Sequence, residues 1–190
     1  MMALPRRRFV FLRHGRTDFN ARGLSQGASD IPLNDEGRAQ AREAAPPLVG
    51  FGLAQIVSSP MSRALETAEI VNETLGLPLG TDPDLHEVVF GGQEGKPLAP
   101  WFGDWMQGRF TPEGAESFDD LVARAEAAMA RVLDRPGPLL VVSHGAFFRA
   151  VRALMGVDLD VPTPNATPML CEPVAGDAWH CAPVDARKAA

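Results

Sequence analysis

Short unbroken apolar runs alternate along this chain with longer stretches whose apolar residues recur every three or four positions. Arg8 to Leu12, Ala54 to Ser58 and Leu139 to Ser143 are of the first kind, and each reads as a buried strand. Leu33 to Val49 is of the second kind. Asn34 is its N-cap, acids follow in the first turn, and Pro46-Pro47 disturbs its end. Ser59-Pro60 opens a second helix, with proline at the first position, where its missing N–H costs nothing. Ala64, Leu65, Ala68, Val71 and Leu75 form its inner face, and Gly76 with Pro78 closes it. Phe118, Leu121, Val122, Ala125, Met129, Val132 and Leu133 make a third helical stripe, broken by Pro136-Gly137-Pro138. Gly145 to Met155 is a fourth helix, ended by Gly156. Beyond Asp158, Pro162, Pro164 and Pro168 predict irregular chain with a short edge strand at most. No internal repeat or low-complexity tract is visible.

Strands alternating with helices predict an α/β fold, a three-layer α/β/α sandwich around a mostly parallel sheet. The 190 residues fit a single domain over residues 1–190, long enough to bury a core without disulfides or metals. A content of 45% hydrophobic and 22% charged residues excludes disorder, and a net charge of −6 argues against a general nucleic-acid binder. The longest aliphatic run, Leu139 to Val142, is far too short to cross a bilayer. The apolar stretch after Arg6-Arg7-Arg8 stops at Arg13, short of what a signal peptide needs, so a cytoplasmic setting without a membrane partner is expected. Cys171 and Cys181 exclude a disulfide framework and allow one bridge. Only Lys96 and Lys188 are lysines, and the remaining cations are arginines, which suit planar bidentate anion binding where position allows.

Ligands of such sheets bind beyond the carboxyl ends of the strands. Arg13-His14 follows the first predicted strand, Ser58 to Arg63 the second and His144 the third, so three chain-distant groups converge on one edge. His14 and His144 supply only two metal ligands, and Arg13 and Arg63 beside them repel a divalent cation; no metal and no cofactor are expected. Two arginines around a histidine suit a phosphoryl group, with bidentate donors for its oxygens and a nitrogen nucleophile for its phosphorus. Arg63 and Gly145 also stand near predicted helix N-termini, which favour negative charge. Gly23-Leu24-Ser25-Gln26-Gly27 matches the nucleophile elbow of serine hydrolases, which would use Ser25 with His144. That elbow needs a strand before it and a helix after it, whereas Asp18 to Arg22 is polar and Ala28 to Pro32 is turn-like. Outside the enzymes, an inactive phosphate-binding module is the rival.

Phe11-Leu12-Arg13-His14-Gly15-Arg16-Thr17-Asp18-Phe19-Asn20 resembles the R-H-G signature of the histidine phosphatase superfamily, the phosphoglycerate mutase-like proteins. Ser58-Ser59-Pro60-Met61-Ser62-Arg63-Ala64 with Thr67-Ala68 is similar to its second arginine motif, and Leu85-His86-Glu87-Val88-Val89-Phe90-Gly91 with Glu94-Gly95 to its acid segment. Ser143-His144-Gly145 resembles its second histidine motif, and Pro164-Asn165-Ala166-Thr167 its C-terminal loop. The five motifs stand in the family's order between about residues 8 and 172.

The resemblance implies a phosphoglycerate mutase-like fold and a metal-independent phosphomonoester hydrolase acting on a small phosphorylated metabolite. His14 would become phosphohistidine, and Arg13, Arg63 and His144 would hold the phosphoryl oxygens. Glu87 would be general acid and then base, with His86, Asp84 and Glu94 nearby. Thr17 and Asn20 would donate in the phosphate pocket, joined by Gly145 and Asn165. Read from residue type alone, Thr17 and Asn20 are turn formers and Asn165 shapes a proline-rich loop. The chain departs from the family at Arg16, an added cation, and at Gln93, where tryptophan is common. The cap, about residues 92–113, is short. Trp101, Phe102 and Trp105 there read either as a substrate-facing wall or as the core of a small cap helix. A mutase would need a longer lid and groups that grip a carboxylate, for which this segment offers only Lys96 and Arg109.

Overall fold

Phe9 to Leu12 are almost wholly buried and form the middle of a six-stranded sheet. The computed structural model describes residues 4–98 and 100–184. Strand β1 (Phe9–Arg13) lies beside β4 (Leu139–Ser143), β4 beside β2 (Gln55–Ser58), and β2 beside β3 (Leu79–Thr81), all parallel. On the other side of β1 come β5 (Pro168–Pro173) and β6 (Trp179–Pro183), each antiparallel to its neighbour.

The side-chain period of two divides each central strand between two cores. Phe9, Phe11, Val57, Leu139 and Val141 face helices α5 (Phe118–Asp134) and α6 (Gly145–Met155), with Leu121, Met129, Phe147 and Val151 packed on them. Val10, Leu12, Ile56, Leu140 and Val142 face the opposite layer. That layer is built from α2 (Asp35–Ala44) and α3 (Ser62–Leu75), which contribute Ala44, Ala64, Ala68 and Val71. The two helical layers are those of the expected sandwich. Their caps follow the sequence logic: the Asn34 side chain accepts from Gly37 N–H, and Gly76 and Gly156 end α3 and α6 in the left-handed conformation.

The structure also holds elements that the sequence expectation lacks or places otherwise, β3 among them. The tail is a hairpin, and β5 is fully paired between β1 and β6. Pro168 and Pro173 stand at its ends, so the ladder tolerates them, while Met169 and Cys171 turn into the core. Helix α3 begins at Ser62 rather than at Pro60, because Ser59 N–H still bonds to Val142 C=O and prolongs the sheet. A one-turn helix α1 (Asp18–Ala21) follows β1, and α4 (Trp101–Met106) forms the cap. In the cap, Trp105 is wholly buried and packs edge-on against Phe90 and Phe118, while Phe102 reaches the cavity described next.

Candidate active site

The register of β1 against β4 sets Arg13 opposite Ser143, so the next residues, His14 and His144, leave the sheet side by side. His14 N–H bonds to Ser143 C=O at 3.0 Å, and the two imidazoles lie 5.3 Å apart, centre to centre. Both are buried. His14 Nδ1 lies 2.7 Å from Gly15 C=O, and since a carbonyl only accepts, Nδ1 carries the hydrogen and Nε2 keeps its lone pair. Burial, with Arg63 and Arg13 nearby, holds the His14 pKa well below the usual histidine value, so the ring is neutral at neutral pH. The same causes, burial first, depress His144. His144 Nε2 lies 2.8 Å from Ser59 Oγ, at the end of β2.

Gly15 lets this turn pass close to α2: a Cβ on it would meet Gly37 C=O at 2.4 Å. Gly15 N–H donates to Thr67 Oγ1 at 3.0 Å, and that hydroxyl in turn bonds to Arg63 C=O. The guanidinium of Arg63 is wholly buried and donates to Gly27 C=O at 2.9 Å and Ser29 C=O at 2.8 Å. Arg13 donates from Nη1 to Thr163 C=O at 2.8 Å. Burial lowers both pKa values, that of Arg13 to about 10, against the opposing pull of Glu87. Arg13 Nε, Arg63 Nε and His144 Nδ1 are all buried with no hydrogen-bond partner among the described residues.

Glu87 is almost wholly buried and sits against the N-terminus of α6. Its Oε1 accepts from Val88 N–H at 3.1 Å and Phe147 N–H at 3.0 Å, and its Oε2 accepts from Ala146 N–H alone, at 3.1 Å. Oε2 therefore keeps a free lone pair, and Glu87 lines the cavity. Glu94, the neighbouring carboxylate, is used otherwise: it accepts from Ala28 N–H at 2.9 Å and Phe90 N–H at 3.2 Å, steadying the loop whose carbonyls hold Arg63. Arg13, His14, Asn20, Glu87 and Gly145 line a cavity of about 530 Å³, together with the apolar residues Leu24, Phe90, Leu98 and Phe102.

Of the expected pocket donors, Arg63, His144, Thr17 and Asn165 are not among the residues lining the cavity, and the last two are also committed elsewhere. Thr17 is fully buried and outside the cavity lining, because its hydroxyl caps α1 in a reciprocal box with Asn20 and bonds to Gln26. Asn165 lies outside it as well. Its amide donates to His14 C=O at 2.9 Å and to Asn20 Oδ1 at 3.2 Å, so it positions the histidine loop. Asn20 itself faces the cavity with Oδ1 already engaged, leaving its Nδ2 amide as the group on offer. Arg16 adds no charge here, since it pairs with Glu36 of α2. Arg109 is exposed and pairs with Asp104. Ser25 follows a helix and a turn rather than a strand, and its hydroxyl donates to Gln93 C=O, which removes the serine-hydrolase reading. Sequence reasoning passed over Ser59, Arg149 and Thr163: Ser59 is bonded to His144, and the other two line the cavity. Among the described residues no cluster of three or more His, Cys, Asp or Glu could hold a metal, and no helix is long and apolar enough to cross a membrane.

Buried guanidiniums and neutral imidazoles over the carboxyl ends of parallel strands define an α/β enzyme built to hold an oxyanion. The model of the histidine phosphatase superfamily (branch 1) matches residues 9–169, and the chain belongs to that family. It is 37% identical over 143 residues to an uncharacterized phosphatase, PhoE, of Bacillus subtilis, covering 74% of this chain and 72% of the relative. It is also 37% identical over 164 residues to a probable phosphoglycerate mutase, GpmB, of Yersinia pestis, covering 80% and 74%. Among solved structures, a mycobacterial glucosyl-3-phosphoglycerate phosphatase in complex with VO3 superposes with a TM-score of 0.79 at 30% identity, over 92% of this chain and 97% of that one. Membership makes this chain an enzyme of phosphomonoester chemistry.

Proposed function

We propose that the chain hydrolyses a small phosphomonoester through a phosphohistidine at His14, without a metal ion. One observation carries the reading: Arg13, Arg63 and His144, from three chain-distant segments, each keep a buried nitrogen without a partner among the described residues beside an imidazole whose Nε2 is free. Arg13, Arg63 and His144 hold the phosphoryl oxygens. Their positive charge stands where a cation would otherwise act, and it repels one. With Nε2 accepting from Ser59 O–H, His144 carries its hydrogen on Nδ1 and donates it to the phosphoryl group.

The His14 Nε2 lone pair forms a bond to phosphorus as the bond from phosphorus to the ester oxygen breaks. Glu87 Oε2 delivers a proton to that leaving oxygen. Gly15 C=O, accepting from Nδ1–H, stabilises the positive ring of the phosphohistidine. A water oxygen then attacks phosphorus, Glu87 takes its proton, the P–N bond breaks, and inorganic phosphate leaves. The low pKa of His14 keeps the nucleophile unprotonated at neutral pH without an adjacent base. The proposed setting is the cytoplasm, where reducing conditions keep Cys171 and Cys181 as thiols.

The test is a rapid quench with labelled substrate in the presence of chelator. The expected result is a phosphoenzyme labile in acid and stable in base, absent from His14→Ala, with free phosphate as the end product. An acid-stable adduct, or activity lost to chelator and regained with zinc, refutes the reading. Isomerisation of 3-phosphoglycerate outpacing phosphate release, with bisphosphoglycerate as primer, assigns the chain to the mutases.

A further inference from the structure

Cys171 and Cys181 stand directly opposite each other in the hairpin of β5 and β6. The phase of the ladder shows which kind of pair they form. Val174 N–H donates to Ala178 C=O and Val184 N–H to Pro168 C=O, so the bonded pairs are the even-numbered ones on β5. Bonded and non-bonded pairs alternate, which makes Cys171 and Cys181 a non-bonded pair. Pro173 and Pro183 fit that phase, since both belong to pairs in which neither N–H points at the partner strand. In such pairs the Cα atoms approach to about 4.5 Å and the side chains lie closest. That separation falls at the near end of the roughly 4.4–6.8 Å that a disulfide spans. The two free thiols share a hydrogen bond at 3.3 Å.

Their surroundings differ. Cys171 is wholly buried, beside Phe9 of β1. Cys181 is half-buried and opens on a separate pocket of about 250 Å³, with Arg152, Asp158, Trp179 and His180 on its walls. This pocket shares no lining residue with the cavity of the active site. Arg152 is buried, and no carboxylate among the described residues forms an ion pair with it. Asp158 and His180, the other charged or titratable groups there, are exposed. The hydrogen bond from Cys171 brings the Cys181 thiol down to about 7, with burial opposing and Arg152 assisting. Burial holds the Cys171 thiol well above the usual range. One sulfur is thus a nucleophile within reach of solvent, and the other stands behind it with no access of its own.

We infer that Cys171 and Cys181 are a site of reversible oxidation, at which a hydroperoxide is reduced and the two thiols close to a cross-strand disulfide. The Cys181 thiolate sulfur forms a bond to one peroxide oxygen as the O–O bond breaks, and the departing hydroxide or alkoxide takes a proton from solvent. Cys181 is then a sulfenic acid, oxidised by two electrons. The Cys171 sulfur next bonds to the Cys181 sulfur, the S–O bond breaks, and the hydroxyl leaves as water with the Cys171 proton. One hydroperoxide is consumed per disulfide, and an external dithiol restores both thiols. In a reducing compartment the pair rests as thiols until peroxide rises. The inference stands apart from the phosphomonoesterase reading.

Titration of the reduced full-length protein with hydrogen peroxide at neutral pH tests this. Samples are quenched into denaturing iodoacetamide, cleaved at Glu172 and Asp177 between the two cysteines, and mapped by mass spectrometry without reduction. The expected product is a monomer lighter by two hydrogens. Both thiols should be lost together, the two cysteine peptides should be joined, and dithiothreitol should return both thiols. The folded protein should lose its thiols about 3- to 10-fold faster than the urea-unfolded chain, because more of Cys181 is thiolate. Cys171→Ser should stop at the sulfenic acid, which dimedone traps on Cys181. Cys181→Ser should slow the oxidation of Cys171 by about 10-fold or more, since the remaining thiol is buried. If either variant fails to fold, the wild-type mapping decides alone. A wild type in which Cys181 proceeds to the sulfinic acid while Cys171 stays open to alkylation overturns the inference. So does a disulfide that joins two chains, or a folded protein oxidised no faster than the unfolded one.

Discussion

Replacing Glu87 with glutamine removes a proton donor and a negative charge while keeping the shape of the side chain. If the amide oxygen stays at the Oε1 position it still accepts from Val88 and Phe147, but the new NH2 then confronts Ala146 N–H donor to donor. A hydrogen bond to a charged acceptor is worth about 1.5–3 kcal/mol, and a carboxylate at a helix N-terminus adds about 0.3–1. The apo variant should therefore be less stable by about 2–4 kcal/mol, which for a chain of this size is a fall in Tm of roughly 5–15 °C. The lost carboxylate also left Arg13 and Arg63 partly balanced, so vanadate should raise the Tm of Glu87→Gln by more than it raises that of the wild type. On alkyl phosphates the rate should fall by about 10²–10⁴. p-Nitrophenyl phosphate should lose far less, because its leaving group departs as a stable anion. Steady-state kinetics on both substrates and thermal melts with and without vanadate give all four readings. Equal rate losses on alkyl and aryl substrates would refute the proton-donor role and leave Glu87 as a cap of α6. An unchanged apo Tm would refute the hydrogen-bond argument itself.

Acidification should destabilise the apo protein below about pH 6.5, since an unfolded chain then binds protons that buried His14 and His144 resist. The slope reaches at most about 1.4 kcal/mol per pH unit for each imidazole, and a Tm that is flat or rising from pH 7 to 5.5 would contradict it. Gly15→Ala should cost about 1–3 kcal/mol or more in urea unfolding, because its Cβ falls 2.4 Å from a backbone oxygen of α2, and an unperturbed variant would refute that close approach. Cys181 should be alkylated with a midpoint near pH 7, held there by its hydrogen bond with Cys171, while Cys171 stays protected by burial. Peptide mapping across a pH series of iodoacetamide reactions checks this, and prior modification of Cys171 would count against it.

The strand-end cluster was legible because parallel sheets place chain-distant residues by simple rules. Three apolar runs, each followed at once by His or by Ser and Arg, suffice to bring Arg13, His14, Arg63 and His144 together. The hairpin of β5 and β6 was hidden because its prolines weigh against a strand. Only pairing shows that they stand at its ends. The donor types of Thr17 and Asn165 were plain, but their hydroxyl and amide are consumed by a helix cap and a backbone carbonyl, and such competition is a tertiary fact. Arg149 sits in an ordinary amphipathic helix between Phe148 and Ala150. What sets it apart is its place in the cavity wall, which no local pattern records.

The loop before β5 holds the residues at the end of β1. Thr163 C=O and Asn165 bond to Arg13 and His14, and Ala166 N–H bonds to Arg13 C=O at 2.9 Å. Arg13 and Thr163 are 150 residues apart, and at synthesis rates of 5–20 residues per second that interval takes roughly 8–30 s. During that time a nascent chain already carries His14, while the segment that fixes it has yet to be made. In the proposed mechanism, competence waits for the C-terminal segment to dock, and a polypeptide abandoned before that point carries the family's first motif without the contacts that fix it.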